Sequence, residues 1–269
     1  MMLSSWKIKI LSMGTVLIFS TIKSKKEDIP GHSNALVAGS ASVLNAKPHS
    51  PPPPYSIYLT FDDGPCAGSE KVNELAWKDS LSINVFLIGK KAFGANKNSY
   101  LLHDYIDNPY IEIGNHSYTH AERHYRRYFK EPLLVLDDFN RNRDSLKVAN
   151  NFARLPGRNF FRVDSLSRND ISNGKEAADT LASRGYSVFG WDVEWRNKED
   201  RSIHLHTGKE MLAITEKMLL DKKTFNNDRI IILLHDTELK DSAFRTELED
   251  FIQLAKQDGR FRFEHLSAY

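Results

Sequence analysis

The chain has 269 residues, 41% of them hydrophobic, a formal net charge of +2 and a single cysteine, Cys66. That length buries a full core in one large domain with a short appendage, and the even scatter of Lys and Arg among Asp and Glu argues against nucleic acid as a partner. One cysteine excludes an internal disulfide and a thiolate-rich zinc site, but leaves open a metal held by nitrogen and oxygen ligands.

Lys7 and Lys9 precede an apolar run over 10–22, and Lys23, Lys25 and Lys26 follow it. The run is short for a membrane span, and a basic flank before such a run is the order of a secretory signal. The expectation is export to the periplasm, cell envelope or medium, with residues 1–26 a signal peptide or an uncleaved membrane anchor. No periodicity is sustained over 27–54, where Pro48 and Pro51 to Pro54 favour an extended linker. The remaining domain is 55–269.

Strand-like and helix-like stretches then alternate. Strands are predicted at 57–62, 83–88, 110–114, 152–155, 187–193, 229–234 and 261–263. Helices are predicted at 69–79, 100–106, 133–150, 177–184, 210–220 and 244–256, the fourth ending at Gly185. This order predicts an α/β fold, a mostly parallel sheet with crossover helices. The run at 230–234, apolar on both faces, fits a strand covered on both sides.

Chemistry concentrates where strands end. The first strand stops at Asp62 and Asp63 followed by Gly64 and Pro65, the end at which α/β folds place their sites. Adjacent strand residues point to opposite sides, so the two acids are expected to differ in role, with the turn below re-aiming one. After the third strand come His116 and His120, which share a face if the chain turns helical there. With Asp62 or Asp63 they complete a two-His, one-carboxylate metal set. His124 continues the spacing, and His204 and His206 pair in a polar loop, so these are competing candidates. The apolar strand at 229–234 ends in His235.

The motifs Thr60-Phe-Asp-Asp-Gly-Pro65, His116-Ser-x-x-His120, Arg154-x-Pro156, Trp191-Asp-x-Glu194 and Leu234-His235, in this order, resemble the polysaccharide deacetylase family, the NodB-homology or family 4 carbohydrate esterases. The resemblance implies a distorted (β/α) barrel with mostly parallel strands and outer helices. It implies a divalent metal, zinc by preference, with Co2+, Mn2+, Ni2+ or Fe2+ as substitutes, and an acetylated polysaccharide substrate. By the same resemblance Asp62 is the general base, Asp63, His116 and His120 hold the metal, Arg154 orients the base and His235 is the general acid. Either Asp192 or Glu194 orients His235, with Glu194 preferred. Trp191, Trp195 and Pro156 are the expected substrate contacts. Two departures stand out: Gly157-Arg158 follows Pro156 in place of an aromatic-glycine or double-glycine continuation, and Trp195 follows Glu194 at once. The expected activity is N-deacetylation of peptidoglycan, a chitin-like chain or poly-N-acetylglucosamine. Rivals are an O-acetyl esterase acting on a polymer such as xylan, a silent carbohydrate-binding relative, and a non-haem iron oxygenase, which leaves Asp62, Arg154 and His235 without a purpose.

Overall fold

A run of alternating side chains at the start of the domain organises the molecule. The structure, a computed structural model, describes residues 54–94, 98–196 and 206–269. The predicted signal or anchor, the linker up to residue 53 and His204 lie outside the described residues. The elements in chain order are β1 (Tyr55–Gly64), α1 (Ser69–Asp79), β2 (Ile83–Leu87), α2 (Gly89–Phe93), α3 (Ser99–Asp107), β3 (Ile111–Asn115), α4 (Tyr125–Tyr128), α5 (Pro132–Leu146) and β4 (Phe152–Ala153). There follow β5 (Phe161–Val163), β6 (Leu166–Arg168), α6 (Lys175–Ser183), β7 (Ser187–Val188), β8 (Val193–Glu194), α7 (Gly208–Leu220), β9 (Arg229–His235), α8 (Ser242–Asp258) and β10 (Phe261–Phe263).

The sheet order is β6-β5-β7-β4-β3-β2-β1-β9-β8, with β10 beside the start of β1. Pairs along the path from β7 to β8 are parallel, and only the β5–β6 hairpin and its junction with β7 are antiparallel. In β1 the two-residue period sorts the side chains. Ile57, Leu59 and Phe61 pack outward with Val72 of α1 and Phe244 and Phe251 of α8. Tyr58 packs inward with Phe86 and Ile231, so Thr60 and Asp62 continue the inner face.

The predicted strand over 187–193 is two pieces with different partners. β7 pairs with β4 and β5, whereas β8 pairs with β9 at the far end of the sheet. In a flat sheet the six spacings from β7 to β8, about 4.8 Å each, would span roughly 29 Å. Five residue steps reach at most about 19 Å. The sheet must therefore curl, and residues 189–192 bridge the gap of an incomplete (β/α) barrel. Polar side chains pin this bridge. Arg154 donates from Nε to the Phe189 carbonyl at 3.1 Å and from Nη2 to the Gly190 carbonyl at 2.8 Å. Asp192 accepts from the backbone N–H groups of Phe225 and Ile231 at 2.7 and 2.9 Å.

Candidate metal and catalytic site

The end of β1 separates two neighbouring acids. Pairing with β2 skips a residue there, Asp62 facing Phe86 and Gly64 facing Leu87. Asp63 occupies the extra position with φ of 70°. Such a bulge re-aims a side chain that would otherwise leave on the opposite face, so both acids reach the same cleft. The next residue must be glycine for want of space: a Cβ on Gly64 would sit 2.4 Å from Asp236 Oδ2.

His116 follows β3, and the chain does not turn into an α-helix after it as the spacing predicted. Ser117 takes φ of 64° and His120 φ of 54°, starting a single tight turn over His120–Arg123. Left-handed residues therefore bring the two imidazoles together. His116 Nε2 lies 3.5 Å, and His120 Nε2 3.0 Å, from Asp63 Oδ1. Among the described residues, Asp63, His116 and His120 are the one group whose ligand atoms all lie within 4.8 Å of one another. His124 is exposed and stands apart from the set, as does His206.

The electrostatics of this trio call for a cation. Burial acts to raise the Asp63 carboxyl, but the adjacent His116 and His120 outweigh it and hold it far below the carboxylate range. Burial acts to lower His116, but the Asp62 and Asp63 carboxylates outweigh it and raise the imidazole. Asp63 Oδ1 is buried and accepts no hydrogen bond. An orphaned carboxylate oxygen facing two ring nitrogens fits a divalent metal held by N and O donors. The other nitrogen of each ring is oriented: His116 Nδ1 lies 2.9 Å from the Arg154 carbonyl and His120 Nδ1 lies 3.3 Å from the Tyr125 hydroxyl. Such partners fix the tautomer of a ligating histidine.

Asp62 belongs to another network. Arg154, fully buried, donates from Nη1 to Asp62 Oδ1 at 2.9 Å and to Thr60 Oγ1 at 2.7 Å. One guanidinium thus orients the inner acid and ties down the barrel bridge, while its own carbonyl orients His116. Asp62 Oδ2 lies 3.6 Å from His116 Nε2, beside the trio.

Across the cleft, β9 pairs with β1 so that Asp62 registers with His235. Burial lowers the His235 imidazole, and the carboxylates of Asp62 and Asp63 pull against it. Glu238 places Oε1 3.9 Å from His235 Nδ1, and its Oε2 accepts the His235 backbone N–H at 3.1 Å. Asp192 is no partner of His235; its two oxygens are taken by the Phe225 and Ile231 amides. Glu194 lines the cleft but pairs with Arg196. Trp191 lines the cleft as predicted. Trp195 does not: it is buried against Phe244 and Phe251, with Nε1 donating to the His206 carbonyl at 3.2 Å. Pro156 is buried as well, and exposed Gly157 lines the cleft in its place. Thr60, Tyr125 and Glu238 are the site neighbours that sequence reasoning missed; only Thr60 had a signal, its place two residues before Asp62 on the inner face.

This barrel is shared with solved family 4 carbohydrate esterases. The chain aligns with a family 4 carbohydrate esterase from Streptomyces lividans in complex with acetate at 17% identity and TM-score 0.56, covering 79% of this chain and 93% of that one. A CE4 esterase from Streptococcus mutans aligns at 22% identity and TM-score 0.58, covering 78% and 85%. The catalytic domain of a peptidoglycan N-acetylglucosamine deacetylase from Eubacterium rectale aligns at 17% and 0.56, covering 79% and 89%. A comparison with curated proteins finds no match. The family model for polysaccharide deacetylase matches residues 49–170. Over those residues the chain is similar to the polysaccharide deacetylases, and its fold is the one seen in the solved family 4 esterases.

Proposed function

We propose that the chain is an exported, zinc-dependent hydrolase that removes N-acetyl groups from an amino-sugar polymer. In this reading residues 1–26 direct export or anchor the protein, 27–54 link, and 55–269 catalyse. The observation that carries it is the division of two adjacent acids: Asp62 is bonded to Arg154, while Asp63 faces His116 and His120. A divalent ion held by Asp63, His116 and His120 supplies Lewis-acid polarisation of the acetyl carbonyl and acidifies water. Asp62 is outside that ligand set and is oriented by the hydrogen bond from Arg154, so it takes the proton of the attacking water. His235, opposite Asp62 in register, gives a proton to the amine nitrogen as its bond to the acetyl carbon breaks, and acetate leaves. Trp191 offers an aromatic face for a pyranose ring in the same cleft, about 640 Å³ in volume.

The test is acetate release from chitotetraose, a peptidoglycan-derived tetrasaccharide and acetylxylan. We expect release from the two amino-sugar oligomers, loss on chelation with recovery on adding zinc, and loss in a folded His116→Ala variant. Preference for acetylxylan would overturn the N-acetyl assignment, and full activity of His116→Ala would overturn the metal assignment.

A further inference from the structure

The acetyl chemistry uses the side chains at the end of β1 but does not explain how the backbone there is held. Asp63 has φ of 70° in the bulge that turns its carboxylate into the cleft. A residue with a Cβ keeps the left-handed region only where its surroundings impose it. Here the surroundings are one short stretch of chain. The carbonyls of Asp63, Gly64 and Pro65 accept in turn from Lys91 Nζ at 2.6 Å, the Ile88 N–H at 2.8 Å and Asn98 Nδ2 at 3.0 Å. Three consecutive carbonyls are thus held from the segment 88–98, which begins where β2 ends.

The same segment holds the second ligand loop. The Lys90 N–H donates at 2.8 Å to the carbonyl of Tyr118, which stands between His116 and His120. The start of α2 therefore joins the two loops that carry Asp63 and the histidines. Its two lysines differ. Lys90 is exposed and its ammonium pairs with exposed Glu122 at 2.6 Å, a kind of pair that contributes little. Lys91 is half-buried, and its ammonium donates to the carbonyl of Asp63 itself. Of the three donors to the turn only Lys91 is charged, and a charge-assisted hydrogen bond is roughly twice as strong as a neutral one.

We propose that Lys91 is a positioning residue for the metal ligand Asp63. Its ammonium fixes the Asp63 peptide plane, which keeps the bulge and so keeps the carboxylate turned toward His116 and His120. Through space a positive charge opposes a bound cation, so Lys91 favours the ion only by what it does to the backbone. The inference rests on the metal reading of the trio and on no step of acetyl hydrolysis.

Zinc affinity of the full chain, read by competition with a chromophoric chelator, tests this without turnover. Lys91→Met should weaken zinc by about 10–100-fold, the range seen when a group that orients a ligand is lost, and should alter the visible absorption of the Co2+-loaded protein. Lys91→Arg, which keeps a charged donor, should recover most of the affinity, and Lys90→Met should stay within about twofold of wild type. A purely structural role would lower the urea midpoint of the metal-free Lys91→Met protein and leave its zinc affinity alone. Unchanged or tighter zinc binding in Lys91→Met would overturn the proposal, tighter binding meaning that the ammonium acts as a repelling charge. Should that variant fail to fold, Lys91→Gln, with a neutral donor on a shorter stem, takes its place under the same criterion. Affinity lost in His116→Ala but kept in Lys91→Met sinks this inference alone, whereas affinity that survives His116→Ala sinks the ligand assignment as well.

Discussion

The base side and the acid side of the catalytic cleft are built to different standards. On the base side one buried guanidinium organises the polar groups: Arg154 holds Asp62, Thr60 and two bridge carbonyls through its side chain and His116 through its carbonyl. On the acid side His235 is partly open, its carboxylate neighbour Glu238 is 3.9 Å away, and Glu194 is turned onto Arg196. Asp62, His116 and Arg154 sit in a buried interior, as a preorganised electrostatic site requires, while the ligands Asp63 and His120 reach the open cleft. The acid sits on a rim, where a bound sugar completes its surroundings.

The largest expected effect breaks the base side. Arg154→Ala leaves Asp62 buried without its cation and frees the Phe189 and Gly190 carbonyls, so unfolding free energy should fall by about 3–5 kcal/mol. Asp62→Asn keeps the guanidinium hydrogen-bonded and should cost turnover, about 100-fold or more, with far less stability. Urea unfolding beside acetate-release kinetics measures both. If Arg154→Ala unfolds within 1 kcal/mol of wild type, Arg154 does not hold the barrel bridge and the contrast between the two sides is lost.

The same contrast governs what the sequence disclosed. Asp62, His116 and His235 follow short runs of β-rich residues that end abruptly in a polar group, so periodicity located them, whereas Arg154 was named only through the family resemblance. Trp195 and Asp192 went astray for one physical reason. The resemblance set Trp195 beside Trp191 and Asp192 as the alternative to Glu194, on a stretch read as one continuous strand over 187–193. The chain leaves the sheet at 189–192 to bridge the barrel, parity is broken, Asp192 turns onto backbone amides and Trp195 packs on α8. Local sequence carries no mark of that crossing, because it follows from closing a sheet whose strands are far apart in the chain. Tyr125 opens the one-turn helix α4 and Glu238 stands on a tight turn after β9, both too short for a 2.0 or 3.6 period to show.

A smaller effect lies beneath both sides. Asp236, beside His235 and against Gly64, is fully buried; its Oδ2 accepts the Tyr105 hydroxyl at 2.8 Å and the Ser69 hydroxyl. Burial raises its carboxyl to about 6 against the hydrogen bonds from Ser69 and Tyr105. Between the ordinary 3.8 and about 6 the folded chain keeps a proton that the unfolded chain releases. Stability contributed by this group therefore falls as pH rises through that window, by on the order of 3 kcal/mol. Asp236→Asn should flatten this part of the slope in metal-free protein, as read from unfolding free energies at pH 4 and pH 7. An unchanged slope would mean that Asp236 ionises freely, and that the floor shared by both sides is wetter than the packing around Gly64 and Tyr105 allows.

The smallest effect sharpens the acid side. A general acid must be protonated, so kcat/KM should fall as pH rises through the His235 pKa. That pKa is set low first by burial, then raised by Asp62 and Asp63, lowered by Arg196 and raised by Glu194. Arg196→Ala removes a nearby cation and frees Glu194, so the alkaline limb should move to higher pH. Glu194→Gln removes a carboxylate and should move it lower, each by less than about one unit at a partly exposed rim. Asp192→Asn should leave the limb in place, because its carboxylate is spent on the Phe225 and Ile231 amides. The three pH profiles on the metal-loaded enzyme discriminate sharply. A shift from Asp192→Asn with none from Glu194→Gln would return the orienting role to Asp192, and opposite shifts from Arg196→Ala and Glu194→Gln would establish that the loose rim, rather than the rigid interior, tunes the acid.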